Sequence, residues 1–276
     1  MRASLLFLAV VCGGLAGGCG GAASHAGGTE VVASFYPLAW AAERIAGEGT
    51  EVVNLTPAGA EPHDLELSAR DVERIRAARL VVYVGAGFQP AVEDAVSSRD
   101  LPPLDVLGTS GGDPHVWLDP VRFAAIVRSL GAALGRPGAV KSLAAEVLSL
   151  DSEYRSGLAS CERRTIVTSH AAFGRLAGRY GLEQLAIAGQ APESEPTPRE
   201  LEGIVSDVRA SGATTVFREP LASSRLAETV ARETGARVAV LDPLEGPSRS
   251  QLEKGEDYLS LMRANLVALR EALGCR

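Results

Sequence analysis

The chain is poor in lysine: among 276 residues it stands only at Lys141 and Lys254, and the other basic residues are arginines, a bias that reads as base composition rather than chemistry. Formal net charge is −7, and no basic run or basic-aromatic interleaving offers a footprint for nucleic acid. Long hydrophobic runs are scarce as well. Ala3 to Ala16 is apolar but too short to span a bilayer and stay there; with Arg2 ahead of it, it reads as an export signal. No His-Glu-x-x-His pattern of a helical zinc hydrolase occurs. Histidine is rare, with four in all, and so is cysteine, also four. What remains is 46% hydrophobic residues in a chain long enough for two α/β domains, each with its own core.

The export signal ends in Leu15-Ala16-Gly17-Gly18-Cys19, which resembles the lipobox of bacterial lipoproteins, with the leucine one place farther from the cysteine than is usual. Lipidation at Cys19 would anchor the protein to a membrane; simple cleavage and release is the competing reading. Residues 1–19 are thus a signal segment, and the Gly/Ala/Ser-rich 20–28 a flexible tether. Cys12 leaves with the signal and Cys19 would carry lipid, so the mature body keeps Cys161 and Cys275. An even pair in an oxidising compartment suggests a disulfide, against the alternative of two buried free thiols.

Along the body, strands alternate with helices. Strands are expected at Val31–Ser34, Glu51–Leu55, Leu80–Val84 and near Leu104–Val106, then at Arg164–Thr168, Glu183–Ala188, Thr215–Phe217 and Arg237–Leu241. Such alternation predicts parallel sheets covered on both faces. Helix-start signals occur at Ser68 with Asp71, at Asp119-Pro120, and at Thr197 with Glu200. Between the halves, Gly138 to Ala159 runs without a breaker apart from Gly157, and Leu143, Val147, Leu150 and Tyr154 recur at helical spacing. The expected fold is therefore α/β, two parallel-sheet sandwich domains (29–136 and 161–276) joined by one long rigid helix (137–160).

His25 lies in the tether. The other three histidines, His63, His115 and His170, each follow a predicted strand, and so does Asp242. Open α/β sheets bind ligands at the carboxyl ends of their strands. Two of these residues belong to each half, so a site between the domains would collect all four. Three imidazoles and one carboxylate complete a tetrahedral zinc shell.

Glu61-Pro62-His63-Asp64, His115-Val116-Trp117-Leu118-Asp119-Pro120, Thr168-Ser169-His170-Ala171-Ala172-Phe173 and Leu241-Asp242-Pro243-Leu244 resemble the signature segments of one family, in family order. It is the cluster A-I metal-binding substrate-binding proteins of bacterial zinc and manganese ABC transporters (solute-binding protein family 9), and the resemblance covers about residues 31 to 273. It implies a metal in the interdomain cleft, with His63 and His115 as ligands from the first domain and His170 and Asp242 from the second. It further implies an exported, monomeric, non-enzymatic carrier that delivers Zn2+ to a membrane permease. The third ligand position, histidine here, goes more often with zinc than with manganese. The chain lacks the long His- and Asp-rich loop of many zinc members, since residues 108–113 are short. Glu61 and Glu219 are expected at the solvated surface, with a place behind the ligands as the alternative. A manganese carrier, an exported zinc hydrolase and a surface adhesin are the alternatives.

Overall fold

A computed structural model describes residues 30–108, 112–192 and 194–276. The export signal, the tether and Cys19 lie outside the described residues. The first half contains β1 (Val31–Ala33), α1 (Tyr36–Ala46), β2 (Val52–Asn54), α2 (Ala69–Ala77), β3 (Leu80–Tyr83), α3 (Pro90–Ser97), β4 (Leu104–Asp105) and α4 (Pro120–Ala133). Helix α5 (Pro137–Gly157) follows. The second half contains β5 (Thr165–Thr168), α6 (Gly174–Arg179), β6 (Glu183–Ala186), α7 (Pro198–Ser211), β7 (Thr215–Arg218), α8 (Arg225–Thr234), β8 (Arg237–Val240), α9 (Arg249–Glu253) and α10 (Tyr258–Leu273).

Two four-stranded, wholly parallel sheets result, ordered β2-β1-β3-β4 and β6-β5-β7-β8. The orders are the same: the first strand of each half lies inside, its successor on one side and the third on the other. That change of direction opens a crevice at the carboxyl ends of β1 and β5.

The expected helix starts hold locally. Ser68 and Asp71 form a reciprocal capping box on α2, Thr197 and Glu200 on α7, and the Asp119 carboxylate accepts from Val121 and Arg122 backbone N–H groups ahead of Pro120. Two elements differ from expectation. The segment read as a helix from Phe173 begins as a 3-10 turn, Ala171–Phe173, before α6. Helix α9 was not foreseen, because five residues are too few to show periodicity; its capping box, Ser248 with Gln251, was the only signal.

Each sheet covers its outer face with a private apolar cluster: Val32, Ile75, Val81 and Val92 under α2 and α3, and Val167, Val205, Val208, Val216 and Val230 under α7 and α8. The inner faces share one core that runs from Val31 and Trp117 through Leu150 and Tyr154 to Phe217 and Tyr258. Helix α5, 21 residues and so ~30 Å long, lies along that shared core. It packs on α4 so closely that a Cβ on Gly131 would come within 1.9 Å of Val140 Cγ2. Helix α10 is a second tie. Tyr154 Oη donates to the Met262 carbonyl at 2.6 Å, Arg263 pairs bidentately with Glu153, and the Tyr258 ring packs at a tilt against both Trp40 and Phe123 of the first half. Cys161 and Cys275 are joined by a disulfide that closes 114 residues of the second half.

Candidate metal centre

The first-half ligand loops leave β2 and β4. His63 lies in the loop between β2 and α2, its ring edge-on to Phe88 at 4.6 Å between centroids. His115 precedes a 3-10 turn, Val116–Leu118, and is wholly buried. His170 follows β5, wholly buried, with its carbonyl accepting from Thr168 Oγ1 and Gln184 Nε2. The structure brings these three imidazoles together.

The fourth member of the cluster is Glu245, not Asp242. One ligand atom from each of His63, His115, His170 and Glu245 falls within 4.8 Å of all the others. Glu245 Oε1 stands 3.3 Å from His115 Nε2, 3.5 Å from His170 Nε2 and 3.6 Å from His63 Nε2. A tetrahedral ion with bonds of ~2.0–2.1 Å has edges of about 3.3–3.4 Å between its ligand atoms, and the three oxygen–nitrogen separations are close to that spacing. All three Nε2 atoms and both Glu245 oxygens are buried without a hydrogen-bond partner in the protein. Buried polar atoms left this way cost free energy unless a further partner serves them.

The Asp242 expectation is corrected by local geometry. Strand β8 stops at Val240, and the Asp242 carboxylate folds back on its own chain. Its Oδ1 accepts from the Leu244 N–H at 2.8 Å and its Oδ2 from Gln251 Nε2 at 3.2 Å. Leu244 then takes φ +57, and that turn carries Glu245 inward. An Asp-x-x turn that satisfies its own carboxylate was the available signal.

Two further carboxylates stand behind the histidines. Asp113 Oδ1 lies 2.7 Å from His115 Nδ1, and Glu219 Oε1 lies 2.7 Å from His170 Nδ1. Glu219 is 3% exposed, so its expected place at the solvated surface is wrong. A carboxylate on Nδ1 fixes the ring and leaves Nε2 to face the centre, as in carboxylate–histidine–metal arrangements. The Asp113 carbonyl in turn accepts from Arg175 Nε of the second half. Glu61 lies beside His63, whose backbone N–H it accepts at 3.4 Å.

The charges are strongly coupled. Burial alone would lower the pKa of His170, but its contacts with Glu219 and Glu245 outweigh that and raise it to about 10. His115 is raised in the same way, burial opposing and Asp113 and Glu245 prevailing. Burial would raise Glu245, yet the three histidines hold it well below the ordinary carboxylate value. Asp242 is pushed up to about 6 by burial, against its bonds to Leu244 and Gln251. An entering cation therefore competes with protons for Nε2 and meets one firmly anionic oxygen.

The chain is similar to known metal-binding proteins. The zinc-binding lipoprotein AdcA of Streptococcus pneumoniae R6 is 32% identical over 305 residues, covering 98% of this chain and 61% of AdcA. Its ZnuA-like domain, solved with Zn(II) bound, superposes with a TM-score of 0.73 at 32% identity over 88% of this chain and 98% of that one. The chain spans 56% to 61% of the length of AdcA relatives. The high-affinity zinc uptake system protein ZnuA of Bacillus subtilis strain 168 is 31% identical, with 88% of this chain and 87% of that protein covered. The laminin-binding protein Lmb of Streptococcus agalactiae, described as an adhesin with metal-transporting activity, gives a TM-score of 0.81 at 31% identity, covering 89% and 100%. The family model for ZnuA, zinc-uptake complex component A, periplasmic, matches residues 31–272, and the chain belongs to that family.

Proposed function

We propose that this protein captures zinc outside the cytoplasm at a centre built from His63, His115, His170 and Glu245 and hands it to the permease of an ABC transporter. The observation that carries the reading is the single Glu245 oxygen held 3.3–3.6 Å from three imidazole Nε2 atoms. Three nitrogens and one carboxylate suit zinc, whereas manganese favours oxygen-rich sites of higher coordination. Four protein ligands close the shell and leave no position for an activated water, which fits a carrier and not a hydrolase. The family is a zinc-uptake component rather than an enzyme family. The ligands come from both halves, 29–136 and 161–276, on either side of the linker 137–160, so one chain completes the centre and a monomer suffices to carry the ion. Anchoring through a lipid on Cys19 would keep the protein at the membrane face, and no helix among the described residues is long and apolar enough to cross it.

The test is metal analysis and competition titration with a chromogenic chelator on tag-free mature protein. One zinc per chain is expected, held far more tightly than manganese, and Glu245→Ala should release it. Wild-type protein that binds manganese as tightly as zinc would point to the manganese-carrier alternative, and a Glu245→Ala variant of unchanged zinc affinity would remove Glu245 from the centre. Labelled fatty acid incorporated into wild type but not Cys19→Ala checks the anchor.

A further inference from the structure

Asp242 is buried, ionisable and not one of the four facing ligand atoms, so its role calls for explanation. The segment from Asp242 to Gln251 is a closed brace with Glu245 at its apex. At its start, the Asp242 N–H donates to Asn265 Oδ1 at 2.9 Å and its carbonyl accepts from Asn265 Nδ2 at 2.6 Å, which pins the residue to α10. The carboxylate then holds Leu244 in the left-handed region, a conformation shared among the described non-glycine residues only with Ala86. On the far side, Gln251 accepts from the Ser248 N–H at 2.8 Å and returns its Nε2 to Asp242 Oδ2. Two contacts fix the apex from the first half. Trp117 Nε1 donates to the Pro243 carbonyl at 2.7 Å, and Gly246 meets the Ala60 carbonyl so closely that a Cβ there would lie 2.9 Å from it.

We infer that Asp242 is a positioning residue for Glu245 and that the Asp242–Gln251 clasp is a determinant of zinc over manganese. The inference rests on the metal centre proposed above. The brace fixes the backbone from which Glu245 reaches toward the three Nε2 atoms, and at 1% exposure the side chain has little room to bring its second oxygen onto an ion held there. Manganese, which gains from added oxygen ligands, is thereby penalised. Releasing the brace frees the carboxylate to shift, which costs zinc its fit and removes the penalty on manganese.

Cobalt(II) titration of the mature protein reads this directly, because a tetrahedral cobalt ion absorbs visible light much more strongly than a five- or six-coordinate one. Wild type should show the strong band; its absence would overturn the metal centre itself and is read before any variant. Asp242→Ala should weaken the band, speed zinc dissociation about tenfold, and narrow the zinc-to-manganese affinity ratio by a similar factor, within the range of changes around a metal's ligands. Asp242→Asn keeps an acceptor for the Leu244 N–H but sets an amide NH2 against Gln251 Nε2, so it should lose the clasp as Gln251→Ala does and weaken the band less than Asp242→Ala. Gln251→Ala releases the clasp from the α9 side and carries the test if Asp242→Ala does not fold. The inference falls if folded Asp242→Ala and Gln251→Ala both keep the wild-type band and metal ratio. It also falls if Asp242→Asn loses the band as fully as Glu245→Ala, since Asp242 would then bind the ion itself.

Discussion

The two halves share a sheet order yet hold their parts of the centre differently. In the first, the backbone N–H bonds of the His63 loop are local, from Ala60 to the Pro57 carbonyl, from Leu65 to the Pro62 carbonyl and from His63 to Glu61. In the second, His170 is fixed at its carbonyl, its N–H and its Nδ1, and the Glu245 loop is braced from α9, α10 and the first half. His115 sides with the braced group, since Arg175 and Tyr258 of the second half donate to the carbonyls of Asp113 and Trp117 beside it. One fold thus supplies three ligands preorganised by long-range bonds and one held by local ones. Repeated topology does not imply repeated rigidity.

The disulfide gives the largest test of that asymmetry, because a covalent closure among the described residues exists only in the second half. A bridge between residues 114 apart contributes on the order of 4–5 kcal/mol in the chain-entropy model. Reduction, or Cys161→Ser with Cys275→Ser, should lower the denaturant midpoint by a corresponding amount. Thiol titration of the denatured, unreduced mature protein should find neither cysteine free. Two reactive thiols there would end this account of the second half's stability.

Next in size are the ligands. His115→Ala, His170→Ala and Glu245→Ala should each weaken zinc by more than about 100-fold, beyond the usual cost of losing a residue that merely supports a ligand. His63→Ala should cost less, because its locally held loop forfeits less preorganisation. Chelator competition on the four variants decides it, and a His63→Ala loss equal to the others would erase the distinction between braced and locally held ligands.

How legible this was depends on where the information lay. Alternating apolar segments and turn residues sufficed for eight strands, the capped helices and the long α5, since these depend on local pattern. The three histidines were legible because each follows a strand in a fold that collects strand ends. Glu245 was not, because its placement depends on the positive φ of Leu244 and on Gly246 accepting the close approach of Ala60, neither of which leaves a periodic trace. Asp242 drew the assignment by standing nearest the strand end, where its carboxylate in fact serves the turn. Glu219, directly after Arg218 at the end of β7, gave no sign in the sequence that it would be buried against His170.

Proton competition provides a third, graded test. His170 is raised to about 10 by Glu219 and Glu245 against burial, so in protein without zinc its protonation contributes stability that is fully present below the ordinary imidazole pKa and lost as pH rises through about 10. Zinc needs the unprotonated ring and must displace that proton, with His115, also raised, adding to the effect. Zinc affinity should therefore fall as pH drops from 8 to 6, by about tenfold per unit for each proton displaced. Titration calorimetry in buffers of different ionisation enthalpy would count the protons released. A pH-independent affinity across that range would show that the buried imidazoles are neutral before zinc arrives.

The smallest effect isolates the locally held loop. Helices α2 and α7 begin with matched capping boxes, Ser68 with Asp71 and Thr197 with Glu200, at exposed positions away from either core. Removing the capping hydroxyl from either should cost about 1 kcal/mol, so Ser68→Ala and Thr197→Ala should shift the denaturant midpoint alike. Their consequences for zinc should differ. Ser68 fixes the point at which the His63 loop joins α2, so fraying there loosens a ligand. Thr197 caps a helix over the outer face of the second sheet, whereas His170 and Glu245 are held by bonds that do not pass through it. Stopped-flow release to a chelator should thus be faster in Ser68→Ala and unchanged in Thr197→Ala. Equal release rates in the two variants, at equal loss of stability, would mean that the His63 loop is anchored by Phe88 and Gly246 rather than by the helix that follows it.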